Sequence, residues 1–212
     1  MKELNIIHKQ TYDSLASEYN QRWKSYLIHQ REVMLPFIEQ MKRDFNGKIR
    51  VLDVGCGVGL NLFILDDNGF NVTGLDLSSE MAKYAKQNVL GANVLTGDFL
   101  EYDFYEKYNG VVMDLFIHLF PLDIVTKILL KLKQIIVSGG YAFISTTLHQ
   151  KGEEGWYEKK DYCGCQKRYR RFYTREDFLK LFEADGVEVV QIYEDMNKVN
   201  NKHFINAIIR IN

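Results

Sequence analysis

Two apolar stripes at helical spacing open the chain. Leu15 and Tyr19 share a face over residues 4–19, with Tyr12 nearby, and Leu27, Val33, Met34, Phe37, Ile38 and Met41 supply another over residues 26–45. The spacing predicts two helices, the second kinked or started at Pro36 and ended at Asn46-Gly47. Neither leads into a strand of its own, so residues 1–47 read as an N-terminal helical appendage.

From Ile49 the pattern alternates. Short apolar runs predict strands over 49–54, 71–76, 93–96, 111–114, 141–147, 187–193 and 204–209. Helical spacing predicts helices over 60–67, from the capping Ser78 to Gly91, over 122–136, and over 175–183 behind Thr174. Ser138-Gly139-Gly140 reads as a turn into the fifth strand. Alternating strands and helices imply a mostly parallel sheet covered on both faces. Only the loop 194–203 separates the last two strands, so they close the chain as an antiparallel hairpin. The expected fold class is therefore α/β: a doubly wound, mostly parallel seven-stranded sheet over residues 48–212, preceded by helices. No internal repeat or low-complexity segment is visible.

Composition narrows the function. The chain has 212 residues, 46% of them hydrophobic, enough for one folded core. Its 27 basic and 28 acidic residues leave a net charge of −1, which argues against wholesale electrostatic binding to nucleic acid or to a membrane surface. Three cysteines make no disulfide framework, which suits a reducing, cytoplasmic setting. No apolar run suits a signal peptide or reaches the roughly 18 residues a membrane span needs. Cys163-Gly164-Cys165 has no second cysteine pair and falls short of a zinc site, so no metal is expected.

The chemistry gathers around Val51-Leu52-Asp53-Val54-Gly55-Cys56-Gly57-Val58-Gly59-Leu60-Asn61. Three glycines among small residues let the backbone turn tightly and lie close to a ligand. Asp53 ahead of the loop disfavours a phosphate and suits a ligand with a cationic amine and hydroxyls. The dinucleotide fingerprint wants a sixth-position glycine, which here is Leu60. Asp76 and Asp98 fall after the next two strands, so three carboxylates sit at consecutive strand ends, where a doubly wound sheet binds ligands.

This arrangement resembles motif I and the following acidic motifs of the class I, Rossmann-like S-adenosylmethionine (SAM) methyltransferases, small-molecule type. Tyr12-Asp13-Ser14-Leu15-Ala16-Ser17-Glu18-Tyr19, with Trp23 behind it, resembles the family's lid helix. Asn109 to Pro121, with His118-Leu119-Phe120-Pro121, resembles its fourth motif, one residue longer than the usual His-Leu-Pro. The resemblance implies that SAM, released as S-adenosylhomocysteine, is bound by Tyr12, Tyr19, Asp53, Gly55, Cys56, Gly57, Gly59, Asn61, Asp76, Leu77, Met81, Asp98, Phe99 and Leu115. Asp76 would accept the ribose hydroxyls and Asp98 the adenine amine. His118 is the candidate general base, and Asp114 the candidate for orienting the SAM amine or the acceptor.

The acceptor is sought in residues 149–173, the longest stretch without clear periodicity. There Trp156, Tyr157, Tyr162, Tyr169, Phe172 and Tyr173 interleave with Lys167, Arg168, Arg170 and Arg171. Arginines beside aromatics suit a small anionic or planar acceptor, with Trp156, Arg168, Arg171 and Tyr173 as its candidate contacts. The same pattern suits a stacked RNA base, and so a tRNA-modifying enzyme. The Asn-Pro-Pro-Tyr or Asp-Pro-Pro-Tyr signature of nucleic-acid N-methylation is absent; Asp114-Leu115-Phe116-Ile117 stands there. A sheet of this kind also suits an NAD-dependent oxidoreductase or a catalytically silent SAM-binding module. A monomer or homodimer fits the sequence equally.

Overall fold

A computed structural model describes residues 1–158, 167–199 and 201–212. Its apolar runs form β1 (Arg50–Val54), β2 (Asn71–Asp76), β3 (Asn93–Thr96), β4 (Tyr108–Met113), β5 (Ile136–Thr147), β8 (Val187–Asn197) and β9 (Lys202–Ile211). These pair in the order β3-β2-β1-β4-β5-β9-β8. β1 to β5 run parallel; β9 is antiparallel to both β5 and β8. The expected seven-stranded sheet and its terminal hairpin are both present.

Both faces are apolar because both are covered. Leu52, Val54, Val111, Met113, Ala142 and Ile144 face one core, against α4 (Leu122–Ile135) and α5 (Arg175–Lys180). Their strand neighbours Val51, Val112 and Phe143 face a second core with the second half of α1 (Lys2–Asp44), α2 (Leu60–Asp67) and α3 (Ser79–Asn88). The expected caps are in place: Ser78 Oγ accepts from Met81 N at 3.1 Å, and Thr174 forms a capping box with Asp177. Among the described residues no helix is long and apolar enough to cross a membrane.

Four expectations are revised. The two N-terminal helices are one, α1, continuous through Pro36. Proline cannot donate to the carbonyl one turn back; here the neighbouring Val33 carbonyl also accepts from Tyr193 Oη at 2.5 Å, which ties the helix to β8 at this point. The Ser138-Gly139-Gly140 turn is an irregularity inside β5, with Gly139 at φ +77° and the register to β4 shifted. α5 ends at Lys180 rather than Glu183. The aperiodic stretch holds an antiparallel ribbon, β6 (Glu153–Glu158) with β7 (Lys167–Phe172). Tyr162 and the Cys163-Gly164-Cys165 motif lie outside the described residues.

β5, β8 and β9 are 12, 11 and 10 residues long, while β1 to β4 have four to six. The long strands extend the floor of the cleft at the carboxyl ends of the short ones.

Candidate functional site

The glycine loop after β1 is held open by its own backbone. Gly55 N and Cys56 N both donate to Leu75 O, at 2.8 and 3.2 Å, and Gly55, Gly57 and Gly59 all have positive φ. A Cβ on Gly55 would lie 2.8 Å from the Phe116 ring; one on Gly57 would meet nothing within 4 Å. Asp76 is fixed opposite. Its Oδ2 accepts from Gly57 N and its Oδ1 from Ser78 N, each at 2.8 Å. Burial nevertheless pushes the Asp76 carboxyl up to about 6.

Asp114, just past β4, is the centre of a polar knot. It accepts from Ser145 Oγ, from Gln30 Nε2 at 3.0 Å and from Asn61 Nδ2 at 3.2 Å. Gln30 Nε2 also donates to Asn61 Oδ1 at 2.9 Å. Leu115 N donates to Ser145 Oγ at 3.0 Å while Leu115 takes φ +52°, a conformation that costs a non-glycine residue about 1 kcal/mol. Asp53 lies buried in β1, and its Oδ2 has no hydrogen-bond partner. Burial first, then the charges of Asp114 and Asp76, hold its carboxyl well above the usual range. Burial raises Asp114 as well. Three carboxyls with raised proton affinity, one with an orphaned oxygen, fit a ligand that carries positive charge.

The first half of α1 roofs the cleft. Asn5 Nδ2 donates to Asp98 Oδ2 at 2.5 Å. Asp13 Oδ1 accepts from Ser78 Oγ at 2.6 Å and Glu80 N at 3.3 Å, at the start of α3. On the other side Thr11 Oγ1 donates to Lys167 O at 2.7 Å, and Tyr169 N to His8 Nε2 at 3.1 Å. Burial, then the Arg168 charge, lowers His8 to about 4, so its ring is neutral. Tyr12, Tyr19 and Trp23 line the cavity, which is open to one side and has a volume of about 580 Å³.

The long strands form its second compartment. Paired positions put Ser145 beside Asn206 and Thr147 beside Phe204, and Asp195 beside Phe204. Tyr26, His29, Gln30 and Val33, one stripe of α1 at helical spacing, face them across the cavity. His29 Nε2 lies 2.8 Å from Asp195 Oδ2, and Asn206 Nδ2 donates to Asp195 Oδ1 at 2.7 Å. β7 supplies the side wall: Arg168 Nη1 donates to Tyr12 Oη at 3.2 Å, and Arg170 Nη2 to Thr147 Oγ1 at 2.6 Å. Lys202 completes a cationic side, and His118, on the single turn Ile117–Leu119, is buried at the cavity wall.

The cavity thus gathers Tyr12, Tyr19, Gly55, Cys56, Gly57, Asn61, Asp76, Leu77, Met81, Asp98, Phe99, Asp114, Leu115, His118 and Arg168. Five other sequence candidates lie elsewhere. Asp53 is underneath the loop. Gly59 packs on α3, where a Cβ would come within 3.3 Å of Ala85 Cα. Arg171 falls on the opposite face of the two-residue period from Arg168 and Arg170, and pairs with Glu154 at 2.5 Å. Trp156 is nearly half exposed, with its ring against Tyr169 and His8. Tyr173 is fully buried in the core beside Phe178. Sequence reasoning missed Asn5, His29, Gln30, Ser145, Asp195, Lys202 and Asn206, and named Arg170 in the acceptor segment without choosing it as a contact. Arg170 was accessible from strand alternation once β7 was recognised; the others carry no motif.

Comparisons agree with this geometry. A family model described as a methyltransferase domain matches residues 26–192. The ubiquinone biosynthesis O-methyltransferase of Rickettsia typhi is 36% identical over 173 residues, which are 73% of this chain and 67% of that protein. Among solved structures, the DhpI complex with S-adenosylhomocysteine (SAH) aligns with TM-score 0.73 at 17% identity, covering 100% of this chain and 98% of that one. Magnesium protoporphyrin IX methyltransferase from Synechocystis PCC 6803, with bound SAH, aligns with TM-score 0.72 at 15% identity, covering 98% and 99%. Both structures share the fold.

Proposed function

Because this chain belongs to the class I, SAM-dependent methyltransferase family, we propose that it methylates a small anionic acceptor held between the overhanging strands and α1. The observation that carries this reading is one cavity lined by both signs of charge: Asp76, Asp98, Asp114 and Asp195 among its carboxylates, and Arg168 and Arg170 with Lys202 on the β7 and β9 side. In this reading residues 1–47 are the lid, 48–212 the SAM-binding body and 149–173 the acceptor-binding insertion.

The glycine loop lets the donor lie against bare backbone. Each Asp76 oxygen already takes one backbone N–H and keeps lone-pair capacity for a ribose hydroxyl. Asp98 with Phe99 serves the adenine. Asp114, fixed by Ser145, Asn61 and Gln30, faces the cationic amino-acid end, with buried Asp53 adding negative potential from below. When bound, the sulfonium supplies an already activated methyl group, so no residue of the chain has to form a covalent intermediate.

The protein's remaining work is orientation and exclusion of water. Arg168 and Arg170 are held by Tyr12 and Thr147, so their guanidinium planes are set before an acceptor carboxylate or phosphate arrives. Tyr12, Tyr19 and Trp23 close the apolar side, and His118 stands at the wall of the transfer site. Both arginines are buried at the cavity rather than spread over an outer surface, which favours a small acceptor over stacked RNA.

Isotopically labelled methyl from SAM, incubated with the protein and a fractionated host extract, tests the reading. Label is expected in the anionic small-molecule fraction. Label confined to RNA, or calorimetric binding of NAD in place of SAM and SAH, overturns it.

A further inference from the structure

The proposed reaction leaves a histidine–carboxylate pair unused. His29 Nε2 lies 2.8 Å from Asp195 Oδ2, and the other Asp195 oxygen is held by Asn206 Nδ2 at 2.7 Å. The three residues come from α1, β8 and β9, and all three line the cavity. The two meet at ion-pair distance without a formed hydrogen bond, since Asp195 Oδ2 has no hydrogen-bond partner among the described residues. A carboxylate accepts and does not donate, so once this contact closes it takes the Nε2 proton and leaves the imidazole lone pair on Nδ1. Asn206 fixes the carboxylate's orientation. The next residue on α1, Gln30, bonds Asp114, so the same helical turn touches the donor compartment.

We propose that His29, oriented by Asp195 and Asn206, is the general base that deprotonates a hydroxyl acceptor during methyl transfer. The proposal rests on the methyltransferase reading above. As the acceptor oxygen forms its bond to the methyl carbon, its proton passes to His29 Nδ1. The methyl–sulfur bond breaks with its electron pair remaining on sulfur. Asp195 stabilises the resulting imidazolium, which later releases the proton to water. His8 is a poor base for this step, because its Nε2 lone pair accepts from Tyr169 N. The charged groups lining the same cavity are Asp76, Asp98, Asp114 and Asp195 on the acidic side, and Lys9, Arg168, Arg170 and Lys202 on the basic side. Arg22 and Tyr26 face it from α1 itself. The cations favour an acceptor whose hydroxyl is already inclined to ionise, such as a phenol or enol bearing a carboxylate.

The test compares wild type, His29→Ala, His29→Gln, Asp195→Asn and His118→Ala. Each is assayed for transfer of labelled methyl from SAM into the small-molecule fraction of a host extract, and by calorimetry with SAH. General-base loss predicts about a 10²-fold or greater fall for His29→Ala and His29→Gln at pH 7, with SAH affinity unchanged. Activity of both variants should climb steadily with pH, as the acceptor ionises without help. Nitrogen-15 NMR of wild type should show His29 protonated on Nε2 and bare on Nδ1, a tautomer disturbed in Asp195→Asn. Activity within threefold of wild type, a pH profile parallel to it, the opposite tautomer, or the whole loss appearing in His118→Ala instead overturns the assignment. Wild type that binds SAH and labels nothing refutes the methyl-transfer reading, and this inference with it. Label that appears equally with and without His29 refutes this inference alone.

Discussion

Asn5 Nδ2 donates to Asp98 Oδ2 at 2.5 Å, across 93 residues of sequence. The donor is a primary amide, the same kind of N–H₂ group that the adenine amine presents. The tip of α1 therefore engages the carboxylate oxygen that the donor's base is expected to need. Asn5→Ala removes the competing amide at the loss of one hydrogen bond, so SAH is expected to bind about 3- to 10-fold more tightly. Asp98→Ala is expected to weaken it by a similar factor. Calorimetry measures both; weaker binding by Asn5→Ala would make Asn5 a cofactor contact instead.

Two glycines with nearly the same backbone separate strain from site. Gly55 has φ +73° and no room, with the Phe116 ring 2.8 Å from an added Cβ; Gly47 has φ +79° and open space. Gly47→Ala should cost about 1 kcal/mol of stability and leave SAH binding unchanged. Gly55→Ala should cost about 1–3 kcal/mol and weaken SAH binding at least tenfold. Thermal melts with and without SAH distinguish the two outcomes.

The acidic cluster gives the ligand-free protein a defined pH response. Burial raises Asp76 from 3.8 to about 6 and raises Asp53 and Asp114 too, so the folded protein binds protons more tightly than the unfolded chain. For Asp76 that stability is fully present below about pH 4 and is lost as pH rises through about 6, by roughly 1.4 kcal/mol per pH unit at most; Asp53 and Asp114 act in the same direction. A cationic donor reverses the preference by favouring the ionised carboxyls. Melting curves should show SAM stabilising the protein more at pH 7.5 than at pH 5; an equal shift at both would exclude this coupling.

Alternation along β7 puts Arg168 and Arg170 on the cavity and leaves Arg171 off it. Arg170→Ala is expected to raise the acceptor KM about 10- to 100-fold with SAM affinity unchanged, since a charge-assisted pair is lost. Arg171→Ala, which breaks the pair with Glu154 and the stacking of Arg171 over the Tyr173 ring, both away from the cavity, should change KM less than threefold. Steady-state kinetics with the acceptor identified by methyl labelling decides between them.

The sheet was legible in the sequence because its central strands β1, β4 and β5 and the strand β9 are buried on both faces and read as apolar runs. The glycine loop and the acids Asp76 and Asp98 at one cavity were legible too, because a loop after one strand and acids at successive strand ends are local features. The ribbon was not, because β6 and β7 carry Glu153, Glu154, Lys167, Arg168 and Arg171 and bury little apolar surface. The continuity of α1 was hidden by Pro36 and by the polar run Asn20-Gln21-Arg22. The acceptor compartment was the least visible part. His29, Asp195 and Asn206 meet only through strand pairing and helix placement, with no short-range signature.

The 43 residues of α1 form a rod with a contour length of about 65 Å. Phe37, Ile38 and Met41 clamp its far end into the core, Gln30 and His29 stand at the cavity, and Asn5 and Asp13 latch the near end to Asp98 and to the start of α3. With donor and acceptor placed as proposed, one lever roofs both: lifting its near end to admit one would loosen the ceiling above the other.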